Sequence, residues 1–218
     1  MAQLFKSTTN IIARWSVISG GALVFGGLFL LNQFFRSDYM TLADVVREQP
    51  VPFSHEHHVS GLGIDCRYCH TSAEFSSSAG IPPTETCMSC HSQIWTNAAI
   101  LEPVRSSFKT GQPLQWNRVH DLPDFVYFNH SIHVNKGIGC ESCHGRVDQM
   151  PLIRSGSTLQ MQWCLDCHRN PEKFIRPKEE VFTMGYKPAE DQATLGPKLV
   201  QAYHVNVRQL TNCSICHR

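Results

Sequence analysis

The cysteines of this 218-residue chain are not scattered: all ten fall into five pentapeptides of one form. These are Cys66-Arg-Tyr-Cys69-His70, Cys87-Met-Ser-Cys90-His91, Cys140-Glu-Ser-Cys143-His144, Cys164-Leu-Asp-Cys167-His168 and Cys213-Ser-Ile-Cys216-His217. Two thiols three residues apart on one turn can form thioethers to the two vinyl groups of one porphyrin. The histidine that follows then directs its imidazole at the iron, so attachment and one axial ligand come from a single local element. A disulfide framework does not explain why every cysteine is used in this form, and zinc ribbons do not call for a histidine after each second cysteine. The pattern predicts five covalently attached haem c groups with His70, His91, His144, His168 and His217 as proximal ligands.

Seven histidines remain, and six-coordinate iron at five haems needs five of them. Phe53-Ser-His55-Glu-His-His58-Val59 precedes the first two motifs, and Phe128-Asn-His130-Ser-Ile-His133-Val134 precedes the third and fourth. The chain therefore repeats one Phe, a His pair and two attachment sites over about 53–95 and 128–170. On a helical turn, imidazoles three apart can diverge to two irons, which makes His55, His58, His130 and His133 the expected distal ligands. His120 is the leading fifth, for the haem at Cys87 and Cys90. His204 competes with it, and His57 flanks a ligand pair. Met150, Met161 and Met184 offer a His/Met alternative, which would raise the potential of one haem.

The elements that position these side chains must be short. Residues 38–218 supply about 36 residues per haem, so the haems themselves must form much of the core. Turn-forming stretches such as Ser76 to Pro83 and Pro171 to Pro177 break the chain, and no sustained strand alternation occurs. The expectation is a mainly α and irregular fold, with a longest outer helix over Pro188–Val205 interrupted at Gly196-Pro197.

Ahead of this domain, Trp15 to Phe35 is a run of 21 residues without a charge, reaching about 32 Å as a helix. It is longer than the apolar part of a secretory signal, and Phe34-Phe35-Arg36-Ser37 is a poor cleavage site. The expectation is a cytoplasmic tail and transmembrane anchor over 1–37 and a pentahaem domain over 38–218. Lys6 and Arg14 precede the run and no acidic residue occurs before Asp38, which places the haem domain on the periplasmic side of a bacterial inner membrane. Ser16/Gly20 and Ala22/Gly26 would let a neighbouring helix approach closely. A net charge of +1 speaks against nucleic acid as a partner. Beyond residue 37 there are 16 basic and 18 acidic side chains; ionised propionates would add about −5 with oxidised and about −10 with reduced haems.

The two Phe-x-His-x-x-His stretches with paired Cys-x-x-Cys-His motifs resemble the class III multihaem cytochromes c. One anchor, five haems and the Trp116 to Val134 stretch resemble, over essentially the whole chain, the pentahaem subunit of bacterial alternative complex III. That resemblance implies electron relay from membrane quinol to a periplasmic carrier or terminal oxidase. It also implies as partners an iron-sulfur/molybdopterin-like subunit, polytopic quinol-binding membrane subunits and a monohaem cytochrome c. Two other readings compete: a self-sufficient membrane quinol dehydrogenase feeding a periplasmic reductase, and a multihaem reductase of small oxyanions. The second needs an iron with an open position, against which the spare histidines argue.

Overall fold

The structure is a computed structural model and describes residues 6–217. Among those residues the chain is helical and irregular, without a sheet; β-type pairing is limited to the bridges Ala43–Ser155, Val46–Arg154 and Ile138–Ile175. One compact unit ends at Leu42 and a second begins at Ala43.

In the first unit, α1 (Ser7–Arg36) is a single helix of 30 residues, about 45 Å long. Its apolar side chains point out on every side, from Ile11 through Trp15, Leu23 and Phe29 to Phe35. A helix apolar all round is suited to lipid, where its backbone groups are satisfied internally. By length and composition it can cross a membrane once. Ser37 ends it by donating Oγ–H to the carbonyl of Phe34 at 2.6 Å. After that break α2 (Asp38–Thr41) forms one turn with Asp38 at its positive end, and Leu42 closes it in the left-handed region at φ 56°.

The second unit is a succession of short helices: α3 (Cys66–Cys69), α4 (Thr84–His91), α5 (Glu102–Thr110), α6 (His130–Asn135), α7 (Glu141–His144), α8 (Met161–Arg169), α9 (Gln192–Ala202) and α10 (Cys213–Cys216). Four of the pentapeptides have both cysteines in a helix and in the third Cys140 stands just ahead of α7 in helical conformation, because a helical turn brings residues i and i+3 to one side. The backbone N–H of His70, His144 and His217 closes that turn on the carbonyl of the first cysteine of its motif, at 2.8, 3.0 and 2.9 Å.

The His pairs differ between the repeats. His130 and His133 lie on α6, but His55 and His58 enter a π-helical segment, Glu56–Gly61. From His58 to Cys66 is eight residues and from His133 to Cys140 seven. A π-turn absorbs one inserted residue without disturbing what flanks it. Beyond it the repeats return to register, with Gly63 and Gly137 both left-handed at φ 69° and 78° just ahead of the attachment turns.

Protein-to-protein burial is sparse. A small cluster of Val51, Leu101 and Val104 packs with Cys87, Met88, Leu114 and Trp116 where α4 meets α5. The segment after it is clamped by side chains: Gln49 Nε2 donates to the carbonyl of Asn117 at 2.9 Å, and Arg47 to that of Arg118 at 2.6 Å.

α9 runs unbroken through Gly196-Pro197, shorter than Pro188–Val205 but without the expected interruption. Pro197 costs one backbone hydrogen bond, while buried Gly196 lets the 3-10 turn Pro171–Lys173 pass directly against the helix. A Cβ at Gly196 would land on the carbonyl of Glu172. Gly196→Ala should therefore destabilise the domain by about 1–3 kcal/mol despite alanine's better helix propensity, lowering the thermal midpoint. Gly26→Ala, with nothing near its Cβ, should leave that midpoint in place.

Candidate functional site

In both repeats a phenylalanine two residues ahead of the His pair acts as a platform for it. Phe53 meets His55 edge-on at 4.9 Å and stacks on His58 at 4.4 Å and 25°. Phe128 does the same to His130 and His133, at 4.8 Å edge-on and at 4.5 Å and 24° stacked. The recurrence of this geometry, despite the π-helical insertion in only one repeat, makes the Phe-x-His-x-x-His turn a rigid unit. The sequence shows these phenylalanines by their spacing; their task as ring supports emerges only in three dimensions.

The second constraint is on the imidazole nitrogens. His70 Nδ1 pairs with the carbonyl of Gly80 at 2.7 Å, His91 with Ile94 at 3.3 Å, His168 with Leu210 at 2.9 Å and His217 with Phe125 at 3.0 Å. Among the pair residues, His58 meets the carbonyl of Ser54, His130 that of Ser77 and His133 that of Asn129, each at 2.8 Å. A carbonyl can only accept, so in each case Nδ1 carries the proton and Nε2 keeps its lone pair for a metal. His55 Nδ1 and His120 Nε2 are buried without a protein partner.

Several imidazoles face one another. The centroids of His58 and His91 are 6.3 Å apart, those of His130 and His144 6.3 Å at 17°, and those of His133 and His168 6.1 Å at 24°. An iron–nitrogen bond of about 2 Å on each side, plus about 1.2 Å from nitrogen to ring centre, would set two imidazoles on one iron about 6.4 Å apart. These three facing pairs are thus spaced to hold a haem iron between them.

His120 departs from expectation. It lies edge-on against His144 at 4.2 Å, too close for an iron between them, and the imidazole facing His91 is His58. His57 stacks on Trp95 at 5.7 Å, and His204 is exposed in the left-handed region after α9. Met150 is packed in the interior, while Met161 is exposed.

None of the ten cysteines is in a disulfide. Burial pushes the Cys140 and Cys143 thiols up to about 12 and Cys167 to about 11. A thiol–disulfide catalyst needs the opposite, a nucleophilic thiol held low. Burial also lowers His55 to about 4 and His144 to about 3, with neighbouring imidazoles adding to it. These rings stay neutral, the form in which imidazole binds iron.

Residues 126–218 match the family described as cytochrome c7 and related cytochrome c. Over 186 residues the chain is 33% identical to the multiheme cytochrome c subunit of menaquinone reductase from Nitratidesulfovibrio vulgaris Hildenborough, covering 74% of this chain and 87% of that protein. This chain belongs to the multihaem c-type cytochromes. Membership brings covalently bound c-type haem and a role in electron transfer, and the relative is a subunit of a quinone-linked enzyme.

Two outcomes test this cytochrome's site. His130→Ala and His133→Ala should each leave haem content unchanged, since attachment needs only the cysteines and proximal histidine, yet convert one low-spin haem to high spin. Unchanged low-spin signals in both would contradict the facing-pair geometry. The second concerns pH. Unfolded imidazoles take a proton near 6.5, whereas folded His55 and His144 resist it until about 4 and 3. Below pH 6.5 the unfolded chain therefore binds more protons, and stability should fall as pH drops toward 4. Thermal midpoints from pH 7 to 4.5 should decline; a flat profile would contradict the neutral assignment.

Proposed function

We propose that this chain carries five haems c and serves as the electron-relay subunit of a membrane-bound quinol-oxidising complex of the alternative complex III type. Its electrons pass to a periplasmic carrier or terminal oxidase. The observation that carries the reading is the facing of imidazoles at 6.1–6.3 Å with their Nδ1 protons held by carbonyls. Iron closed on both faces by imidazole exchanges electrons and leaves no position for a substrate.

In this reading Cys66, Cys69, Cys87, Cys90, Cys140, Cys143, Cys164, Cys167, Cys213 and Cys216 hold the porphyrins. The following histidines are proximal ligands, and His55, His58, His130 and His133 are distal ones. His120 is the tenth ligand, supported by its buried Nε2 without a protein partner. The haems supply the electron chemistry; the chain fixes each imidazole's tautomer and tunes potentials by burial. Helix α1 anchors the chain, with the haem domain on the periplasmic side because the basic residues flank its N-terminal end. The partners are an iron-sulfur/molybdopterin-like subunit, polytopic quinol-binding subunits and a monohaem cytochrome c.

The name of the relative favours a second reading, in which electrons run from the periplasm into the quinone pool. The α-band of the haems, followed in the purified complex and in the chain alone, separates the possibilities. Quinol should reduce the haems quickly in the complex and not in the isolated chain, with carbon monoxide shifting no haem in either. Fast reduction of the isolated chain would instead make it a quinol dehydrogenase in its own right. A complex that oxidises its haems with quinone but is not reduced by quinol would reverse the direction.

A further inference from the structure

We propose that residues 44–49, near the start of the second unit, are the strap that delivers His120 to a haem iron, with Gln49 and Asn117 as its positioning residues. The inference rests on the reading of His120 as an axial ligand.

The other four distal histidines stand on helical turns backed by a phenylalanine ring, and His120 has neither support. Its segment, 112–122, is irregular, and among the described residues no backbone N–H from Asn117 to Leu122 bonds to a backbone carbonyl. A segment without a ladder of its own takes its course from side chains. Gln49 acts on it as a strand edge would: Nε2–H donates to the carbonyl of Asn117 and Oε1 accepts the N–H of Asn117, both at 2.9 Å. Asn117 answers with Nδ2–H to the carbonyl of Glu48 at 2.7 Å, and Arg47 donates to the carbonyl of Arg118 at 2.6 Å. Together these four bonds fix the position and direction of the chain three residues ahead of the ligand.

The other end of the strap is tied to the third motif. The N–H of Asp44 donates to the carbonyl of Ser155 at 2.8 Å, Val46 bridges to Arg154, and Arg154 pairs with Asp44 at 3.3 Å. Residues 155–157 rest in turn on that motif: Ser157 Oγ donates to the carbonyl of Cys143 at 2.8 Å, and a Cβ at Gly156 would strike the backbone of His144 and Gly145. The strap therefore holds the His144 motif at one end and the His120 segment at the other, and the two rings meet at 4.2 Å.

The bonds between Gln49 and Asn117 lie at the surface, where water replaces them on loss, so they add little to stability. What they remove is the freedom of the segment to swing its imidazole away. Their loss should change coordination at one iron while the fold stays.

Gln49→Ala and Asn117→Ala, read in the haem-loaded complex by electron paramagnetic resonance and carbon monoxide difference spectra, test this. Each should keep the haem content and thermal midpoint of the unaltered protein, yet turn a substantial part of one haem high-spin and open it to carbon monoxide. Added imidazole should return that haem to low spin. His120→Ala should turn the same haem wholly high-spin. Arg118→Ala, which removes only an exposed ion pair with Asp121, should leave every haem low-spin. A high-spin haem in His120→Ala with none in Gln49→Ala or Asn117→Ala would mean that the ligand is held by other means, and overturns the proposal alone. Haems that all stay low-spin in His120→Ala would fail the ligand reading, leaving the strap nothing to deliver. A high-spin fraction in Arg118→Ala as large as in Gln49→Ala would mean that any disturbance of the segment releases the ligand, which also overturns the role given to the strap.

Discussion

A proton held on Nδ1 by a backbone carbonyl is the interaction on which this domain's chemistry depends. An imidazole offers a lone pair at either nitrogen, and without a constraint its tautomer and its aim would both be free. Seven of the motif and pair imidazoles have that choice settled by a carbonyl of the chain, including those of Ser54, Ser77, Gly80, Asn129 and Leu210. The acceptors lie in turns and loops because a carbonyl inside a helix is already occupied by the N–H four residues on. Much of the irregular chain is therefore what the imidazoles require: a supply of carbonyls not committed to secondary structure.

The same requirement explains why the repeats lean on each other. His58 and His133 find their acceptors within their own turn, four residues back. The first histidine of each pair has no such bond within its own turn. His130 takes its acceptor from the Ser76-Ser77-Ser78 loop of the other repeat. His55 Nδ1 has no protein partner, but the backbone N–H of Glu56 and of Ser131 each take a carbonyl from the other repeat's loop, which ties the two modules together with little apolar core. Among the described residues only eight hydrophobic side chains form the buried core, so the apolar faces of porphyrins would supply most of what a protein core ordinarily does.

Much of this was legible in the sequence, for identifiable reasons. Attachment chemistry is local: a Cys-x-x-Cys-His turn works within five residues, so spacing alone reveals it. The repeat was legible because Phe, His and His recur at one spacing, and the apolar α1 because length and lack of charge suffice. The facing of one imidazole by another is set over long range, so His120, expected at the haem of Cys87 and Cys90, lies instead against His144. The π-helical segment follows from a one-residue difference between the repeats that is visible on alignment, yet propensity does not say where a chain will absorb it. At Gly196-Pro197 propensity pointed to a break, and tertiary contact with the Pro171–Lys173 turn kept the helix whole.

Burial is graded along the chain of motifs, and the grading bears on what a relay needs. In the motifs of His91 and His217 one cysteine is open to solvent, whereas both thiols of the Cys140 motif are driven up to about 12 by burial. Burial in low dielectric disfavours added charge, but a haem gains no net positive charge when reduced; its ferric form is the one that burial penalises. A haem held by the deeply buried Cys140 motif would thus be biased toward higher potential than a more exposed one with the same ligands. The acidic side chains near the motif act in the opposite sense, though Glu141 is neutralised by Arg176 at 2.8 Å and Asp148 by Arg146 at 2.6 Å. These ion pairs keep uncompensated negative charge away from the Cys140 motif.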